Sequence, residues 1–197
     1  MRELVYYVAA SIDGFIAQSD GSFDAFPIEG DHMTVGIRDY ADAIPTHVAA
    51  ALGITPDLSR FDTVVMGWNT YAVGYDQGIE SPYAHLRQYV FSRTHTVTTS
   101  GVSVTAQNPV DVVRELKAET SGSDIWLCGG GQLASALVDE IDRLVIKVNP
   151  MVFGSGIPLF AGLADTPRPF VPASRTAFES GVVFTEYRRG STEPSTV

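Results

Sequence analysis

Hydrophobic positions fall in short blocks along this chain rather than in long runs. "LVYYVAA" (4–10), "DTVVMG" (62–67), "YVFS" (89–92), "VSVTA" (102–106), "DIWLC" (124–128) and "RLVIKVNPMVF" (143–153) are β-branched and aromatic, and each predicts a strand. Between several of them the spacing becomes helical. "NPVDVVRELKAET" offers Asn108 as N-cap, Pro109 at the first helical position, and Val112, Val113 and Leu116 on one face. "QLASALVDEI" (132–141) predicts a second helix. "SPYAHLRQ" predicts a third with Ser81 as its cap, and "THVAAALGI" a short one with Thr46 as its cap. The closing stretch "RPFVPASRTAFESGVVFTEYRR" predicts two strands joined around Glu179–Ser180–Gly181.

Strands alternating with helices predict an α/β fold: a mainly parallel sheet with helices on both faces, and the final helix-free pair as an antiparallel edge. The 197 residues carry no repeat and no linker, so residues 1–189 are expected to form one domain. The polar tail 190–197 is expected to be disordered.

Composition narrows the partners. The formal charge of −10 argues against a nucleic-acid phosphate backbone, while a small phosphorylated ligand could still be held by local donors. Cys128 is the single cysteine, which excludes an intrachain disulfide and a cysteine zinc cluster. The apolar run before Asp13 is too short for a signal peptide, and no stretch reaches the ~18–20 apolar residues of a membrane span. A cytoplasmic protein is expected. His32, His47, His85 and His95 lack metal-ligand spacing, so no metal is expected.

Candidate chemistry collects where strands end, which is where open α/β sheets bind ligands. "MGWNTY" follows one strand: Gly67 permits close backbone approach, and Asn69 or Thr70 could cap a helix and donate to an anion. "SRT" follows another and offers the Ser92 hydroxyl and the Arg93 guanidinium. "GGGQL", Gly129 to Leu133, joins a third strand to a helix whose N–H groups and dipole favour an anion. A glycine turn suits a diphosphate, and a neighbouring arginine suits a monoester phosphate. Together they point to a dinucleotide with a 2′-phosphate, NADP(H). Each piece also has a plainer reading: tight packing for the glycines, a solvated loop for "SRT", a buried Trp68 for "MGWNTY". After the first strand, Asp13–Gly14 reads as a simple turn, or else "AASIDG" lies beside a nicotinamide, with Asp13 or the backbone of Ala9 and Ala10 bordering the reacting carbons.

"LVYYVAASIDGFIA", "DTVVMGWNTY", "YVFSRT" and "IWLCGGGQL" occur in the order found in the dihydrofolate reductase-like superfamily, which the chain resembles over about residues 4–188. "CGGGQLASALVDEIDRLVIKVNPMVFGSGIPLF" is similar to the C-terminal reductase domain of bifunctional riboflavin-biosynthesis proteins. The resemblance implies a three-layer α/β/α reductase using NADPH, with Ala10, Gly67, Trp68, Asn69, Thr70, Ser92, Arg93, Gly129, Gly130, Gly131, Gln132 and Leu133 around the cofactor. It implies hydride transfer to a pyrimidine ribosylamine, with reduction of dihydrofolate or another pteridine, or a non-catalytic NADPH-binding module, as alternatives. A homodimer is also expected. Two departures stand out. Trp68 occupies a place where the superfamily commonly has arginine, so cofactor choice leans on Arg93, helped by His95. Residues 24–60 match poorly, leaving Asp31 and Asp39 as candidates for a substrate-facing carboxylate, with a solvated acidic surface as the plainer reading. The proton is expected from a carboxylate such as Asp13 or Asp31, or from an ordered water.

Overall fold

The computed structural model describes residues 1–190; the expectation for the tail lies, beyond Gly190, outside the described residues. Ten strands form in chain order: β1 (Leu4–Ser11), β2 (Phe15–Ala17), β3 (Phe61–Gly67), β4 (Arg87–Phe91), β5 (Val102–Thr105), β6 (Asp124–Gly129), β7 (Arg143–Asn149), β8 (Ile157–Pro158), β9 (Phe170–Ala177) and β10 (Val183–Arg189). The helices are α1 (His32–Asp39), α2 (Thr46–Ala51), α3 (Trp68–Tyr75), α4 (Pro109–Ala118) and α5 (Gly131–Ala136).

Eight strands make one sheet in the order β5-β4-β3-β6-β1-β7-β10-β9, and β2 pairs with β8 in a minor ribbon. From β5 through β7 every pairing is parallel, while β10 runs antiparallel to both β7 and β9. This is the expected mainly parallel α/β/α sandwich with an antiparallel C-terminal edge. Two cores sit on its faces. One joins Leu4, Tyr6, Val65, Ile125 and Leu127 to Val112, Val113 and Leu116 of α4 and to Leu133 and Ala134 of α5. The other joins Val5, Val64, Met66, Val90, Trp126 and Phe184 to Tyr40 and to Tyr71 of α3. Each fully buried Leu, Val or Phe side chain contributes about 1.5–3 kcal/mol, which is why the apolar blocks dictate the strands.

Several local expectations give way to tertiary contacts. Asn108 does cap α4, its side chain accepting from the Val110 N–H at 3.0 Å. Residues 81–86, however, form turns rather than a helix. The buried Gln88 side chain explains this: its Oε1 accepts from the Tyr83 N–H (3.2 Å) and its Nε2 donates to Ser81 Oγ (2.8 Å), which occupies the hydroxyl meant to cap that helix. The segment 132–141 is helical only through Ala136 and then tightens into turns. Strand β7 stops at Asn149, before Pro150. Thr46 is the first residue of α2 rather than its cap, and its hydroxyl lies 2.7 Å from His85 Nδ1.

Candidate functional site

The carboxyl ends of β1, β3, β4, β6 and β7 share one end of the sheet. At β6 the three glycines divide their work. A Cβ on Gly129 (φ +139°) or Gly130 would meet only Thr70 Oγ1 or Ile16 Cδ1, at ordinary contact distances of 3.7–4.0 Å; Gly129 itself is buried and Gly130 is partly exposed. The peptide between them is cis. Gly67, at the end of neighbouring β3, has nothing within 4 Å of its Cβ position. Gly131 differs. A side chain there would collide with the Pro158 carbonyl oxygen, and its own carbonyl accepts from the Ala161 N–H at 3.1 Å. It is a packing glycine that seats the "IPLF" segment on α5, not an open part of the cradle. Leu133 likewise sends its side chain into the core, 8% exposed, while Gln132 stays exposed.

Helix α3 starts at Trp68 with Gly67 as its N-cap and no side-chain cap bond. Asn69 and Thr70 therefore lie within its first turn instead of capping it; Thr70 faces Gly129 and Gly130, and Asn69 is exposed. Trp68 stacks on His95 with ring centroids 4.0 Å apart and planes 3° from parallel. Beyond β4, Ser92 Oγ accepts from the N–H groups of Thr94 (3.3 Å) and His95 (2.9 Å), a tight turn that leaves Arg93 exposed at its tip.

Beyond β1 the Asp13–Gly14 turn folds against the segment from Met151 to Leu159. Asp13 accepts from Ser11 Oγ (2.6 Å) and from the N–H groups of Phe153 (3.1 Å) and Gly154 (2.7 Å), while Ile12 N donates to Met151 O and Leu159 N to Gly14 O, both at 2.8 Å. The Ser11 hydroxyl above all, with the Gly154 and Phe153 amides, holds the Asp13 carboxyl below the usual carboxylate range despite some desolvation. Asp31 does the same for the β9–β10 turn, accepting from Glu179 N (2.7 Å) and Ser180 N (3.1 Å). Desolvation pulls its carboxyl upward, but those two amides and the Ser180 hydroxyl outweigh it and leave it lowered. Both carboxylates clamp loops, their oxygens taken up by amide and hydroxyl donors.

Other candidates are also displaced. Asp39 pairs with Arg38 at the opposite end of the sheet, around a polar cavity of about 560 Å³ walled by Arg60, Asp124 and Arg143. Arg143 there is paired with Asp124, Glu3 and Glu186, making this end an ionic seam. The Ala10 side chain is buried on the α5 side of the sheet and its carbonyl accepts from Asn149 Nδ2 (3.2 Å), while the Ala9 side chain lies on the opposite face; its backbone keeps its place at the end of β1. Burial pushes the Cys128 thiol up to about 12, as befits an inert core residue.

Three residues at this end were not singled out by the sequence. His32 is fully buried, with Nε2 3.3 Å from Pro27 O and Nδ1 3.0 Å from Ser180 Oγ. Because a carbonyl can only accept, Nε2 carries the proton and Nδ1 accepts from the hydroxyl. Desolvation, followed by the nearby Lys147 charge, lowers its pKa and keeps the ring neutral. Lys147 and Asn149 lie on the same face of β7, beside Ala9 and Ser11 of β1. Lys147 did leave a trace, as the one charge inside an apolar strand "LVIKV". Among the described residues no group of three or more His, Cys, Asp or Glu could hold a metal ion. No helix among them is long and apolar enough to cross a membrane.

This sandwich, with its glycine turn at the end of a central parallel strand, is the dihydrofolate reductase-like fold. Residues 2–184 match the RibD C-terminal domain, and the chain belongs to that family. Two relatives in Bacillus subtilis (strain 168) are the uncharacterized proteins YwjB and YyaP. YwjB is 33% identical over 170 residues, covering 83% of this chain and 86% of that protein. YyaP is 27% identical over 195 residues, covering 92% of each. A crystal structure from Shewanella sp. PV-4, provisionally described as a riboflavin biosynthesis protein, superposes with TM-score 0.69 at 25% identity over 97% of this chain and all of that one. The Thermotoga maritima diaminohydroxyphosphoribosylaminopyrimidine deaminase/5-amino-6-(5-phosphoribosylamino)uracil reductase shares the fold at TM-score 0.67 and 16% identity, over 96% of this chain and 57% of that one.

Proposed function

We propose that this protein is an NADPH-dependent reductase acting on a ribosylamine of a pyrimidine, the type of step that turns the opened sugar into a ribityl chain. One observation carries the reading. Gly67 and Gly130 leave bare, partly exposed backbone at the ends of the adjacent parallel strands β3 and β6, in a chain of the RibD C-terminal domain family.

The residues present fit a dinucleotide phosphate. Backbone N–H groups around Gly129 and Gly130 suit a diphosphate, because an exposed amide donates without a side chain in the way. Arg93 extends from a turn fixed by Ser92, and a guanidinium fork suits a phosphate monoester. When bound, the reduced nicotinamide supplies a hydride. The chain's own part is to orient the acceptor beside Ala9, to exclude water, and to supply a proton.

The test is NADPH and NADH titration of wild type, Gly130→Asp and Arg93→Ala, followed by NADPH oxidation with the ribosylaminopyrimidine, dihydrofolate and a pteridine. Gly130→Asp should abolish binding of both cofactors through like-charge and steric conflict, and Arg93→Ala should weaken NADPH alone. Turnover with the ribosylaminopyrimidine supports the substrate class. Equal loss of both cofactors in Arg93→Ala would remove Arg93 from its role.

A further inference from the structure

A reduction needs a proton as well as a hydride, and the two carboxylates nearest the site are occupied as clamps. One titratable group at the carboxyl ends of β1 and β7 has no such duty. Lys147 stands across from Ala9 on one side and Phe184 on the other, on the sheet face that carries Tyr7 and Trp126. It is half-buried, and among the described residues its ammonium has neither a hydrogen bond nor an ion pair. The titratable group facing it is His32 from α1, already neutral and bonded at both nitrogens. Glu186 of β10 shares that sheet face but is paired with Arg143, and burial lowers the Lys147 pKa.

Asn149, two residues on and on the same face, sharpens the point. Its Nδ2 donates to Ala10 O (3.2 Å) and Lys147 O (3.0 Å), which fixes the amide orientation. Its Oδ1 is then buried without a partner. An unpaired cation and an unpaired acceptor, side by side on one strand, both weaken the fold. Such groups are retained where something else engages them.

We infer that Lys147 is the proton donor of the reduction, its Nζ facing the heteroatom of the substrate's C=N bond. The inference rests on the reductase reading above. In the step, the imine carbon gains a hydrogen with its electron pair from the reduced nicotinamide. The π pair settles on nitrogen, which forms an N–H bond as one Nζ–H bond of Lys147 breaks. The substrate is reduced to an amine, the nicotinamide is oxidised, and the neutral lysine regains its proton from water. Desolvation lowers the Lys147 pKa, which makes the ammonium a better acid.

The chain has two lysines, and Lys117, paired with Asp142 at 2.7 Å, is an internal control. Reductive ¹³C-methylation of wild type gives two lysine signals that can be titrated with NADP⁺. The Lys147 signal should shift on binding, and the Lys117 signal should not. In parallel, Lys147→Met should still bind NADPH but lose about 10²–10⁴-fold in kcat, with loss of the alkaline limb of the wild-type pH profile. Ethylamine should partly restore turnover to Lys147→Ala. A Lys147 signal indifferent to bound NADP⁺, or wild-type kcat in Lys147→Met, overturns the assignment. If wild type binds NADPH but reduces no ribosylamine, the substrate reading fails instead, and the NADP⁺ titration alone decides whether Lys147 faces the nicotinamide.

Discussion

Trp68 and His95 lie face to face, 4.0 Å between centroids, and tie the end of β3 to the turn beyond β4. That turn carries Arg93. The stack therefore stands beside the proposed phosphate site. His95 Nδ1 also lies 3.1 Å from Ser92 Oγ and 3.0 Å from Thr94 Oγ1, so the imidazole braces the turn from within.

His95→Ala should thus loosen Arg93 without unfolding the protein. We expect a several-fold loss of NADPH affinity, less change for NADH, and a stability change within about 0.5 kcal/mol because the residue is exposed. Fluorescence titration with both cofactors, beside a urea melt, measures this. Equal weakening of NADPH and NADH would detach the stack from phosphate recognition.

Gly130 and Gly131 are adjacent but should respond oppositely to alanine. At Gly131 the new methyl meets the Pro158 carbonyl, and such overpacking costs about 1–3 kcal/mol. At Gly130, where φ is −99° and the nearest atoms are 3.8 Å or more from the Cβ position, stability should hold while cofactor affinity falls. Urea unfolding and NADPH titration of the two variants separate the roles. A Gly131→Ala protein as stable as wild type would refute the packing assignment.

What the sequence conveyed depended on how local the determining contact was. Strand β3 and helix α4 are legible because their apolar positions and the Asn108–Pro109 cap act within a few residues. Helix α3 was legible only as a helix start capped at Asn69 or Thr70, not in its true bounds. "WNTYAVGY" is rich in aromatic and β-branched residues and has a glycine, and it is helical because Tyr71 is buried and its hydroxyl donates to Glu80 O at 2.6 Å. The site was legible in the same uneven way. Glycines at strand ends could be read, but Asp13 and Asp31 are held by amides 141 and 148 residues distant, which no spacing reveals.

Those two carboxylates make a pH prediction. Their folded pKa values are lowered, so each contributes stability in full above the ordinary value of 3.8, and that contribution disappears as pH falls through the lowered folded value. Asp13→Asn and Asp31→Asn should be less stable than wild type at pH 7 and converge on it in strong acid, as followed by thermal melts. As clamps, not proton donors, they should also leave the shape of the pH–rate profile unchanged. A shifted or missing limb in either variant would return that residue to the chemistry.

Lys147 makes the opposite prediction on the alkaline side. Its folded pKa lies below the ordinary 10.5 because burial disfavours the ammonium. Between the lowered value and 10.5 the unfolded chain binds more protons than the folded one, so stability attributable to this residue rises with pH through that window. Lys147→Met removes the buried charge and keeps most of the side-chain volume. The variant should be the more stable protein at pH 7, and its advantage should shrink steadily as the pH approaches 10.5. Paired urea melts from pH 7 to 10.5 measure the difference, in which the other titrating groups cancel. A difference that stays constant across the range would mean that the Lys147 ammonium is as well solvated in the folded protein as in the unfolded chain, and would take away the physical basis for treating it as a primed acid.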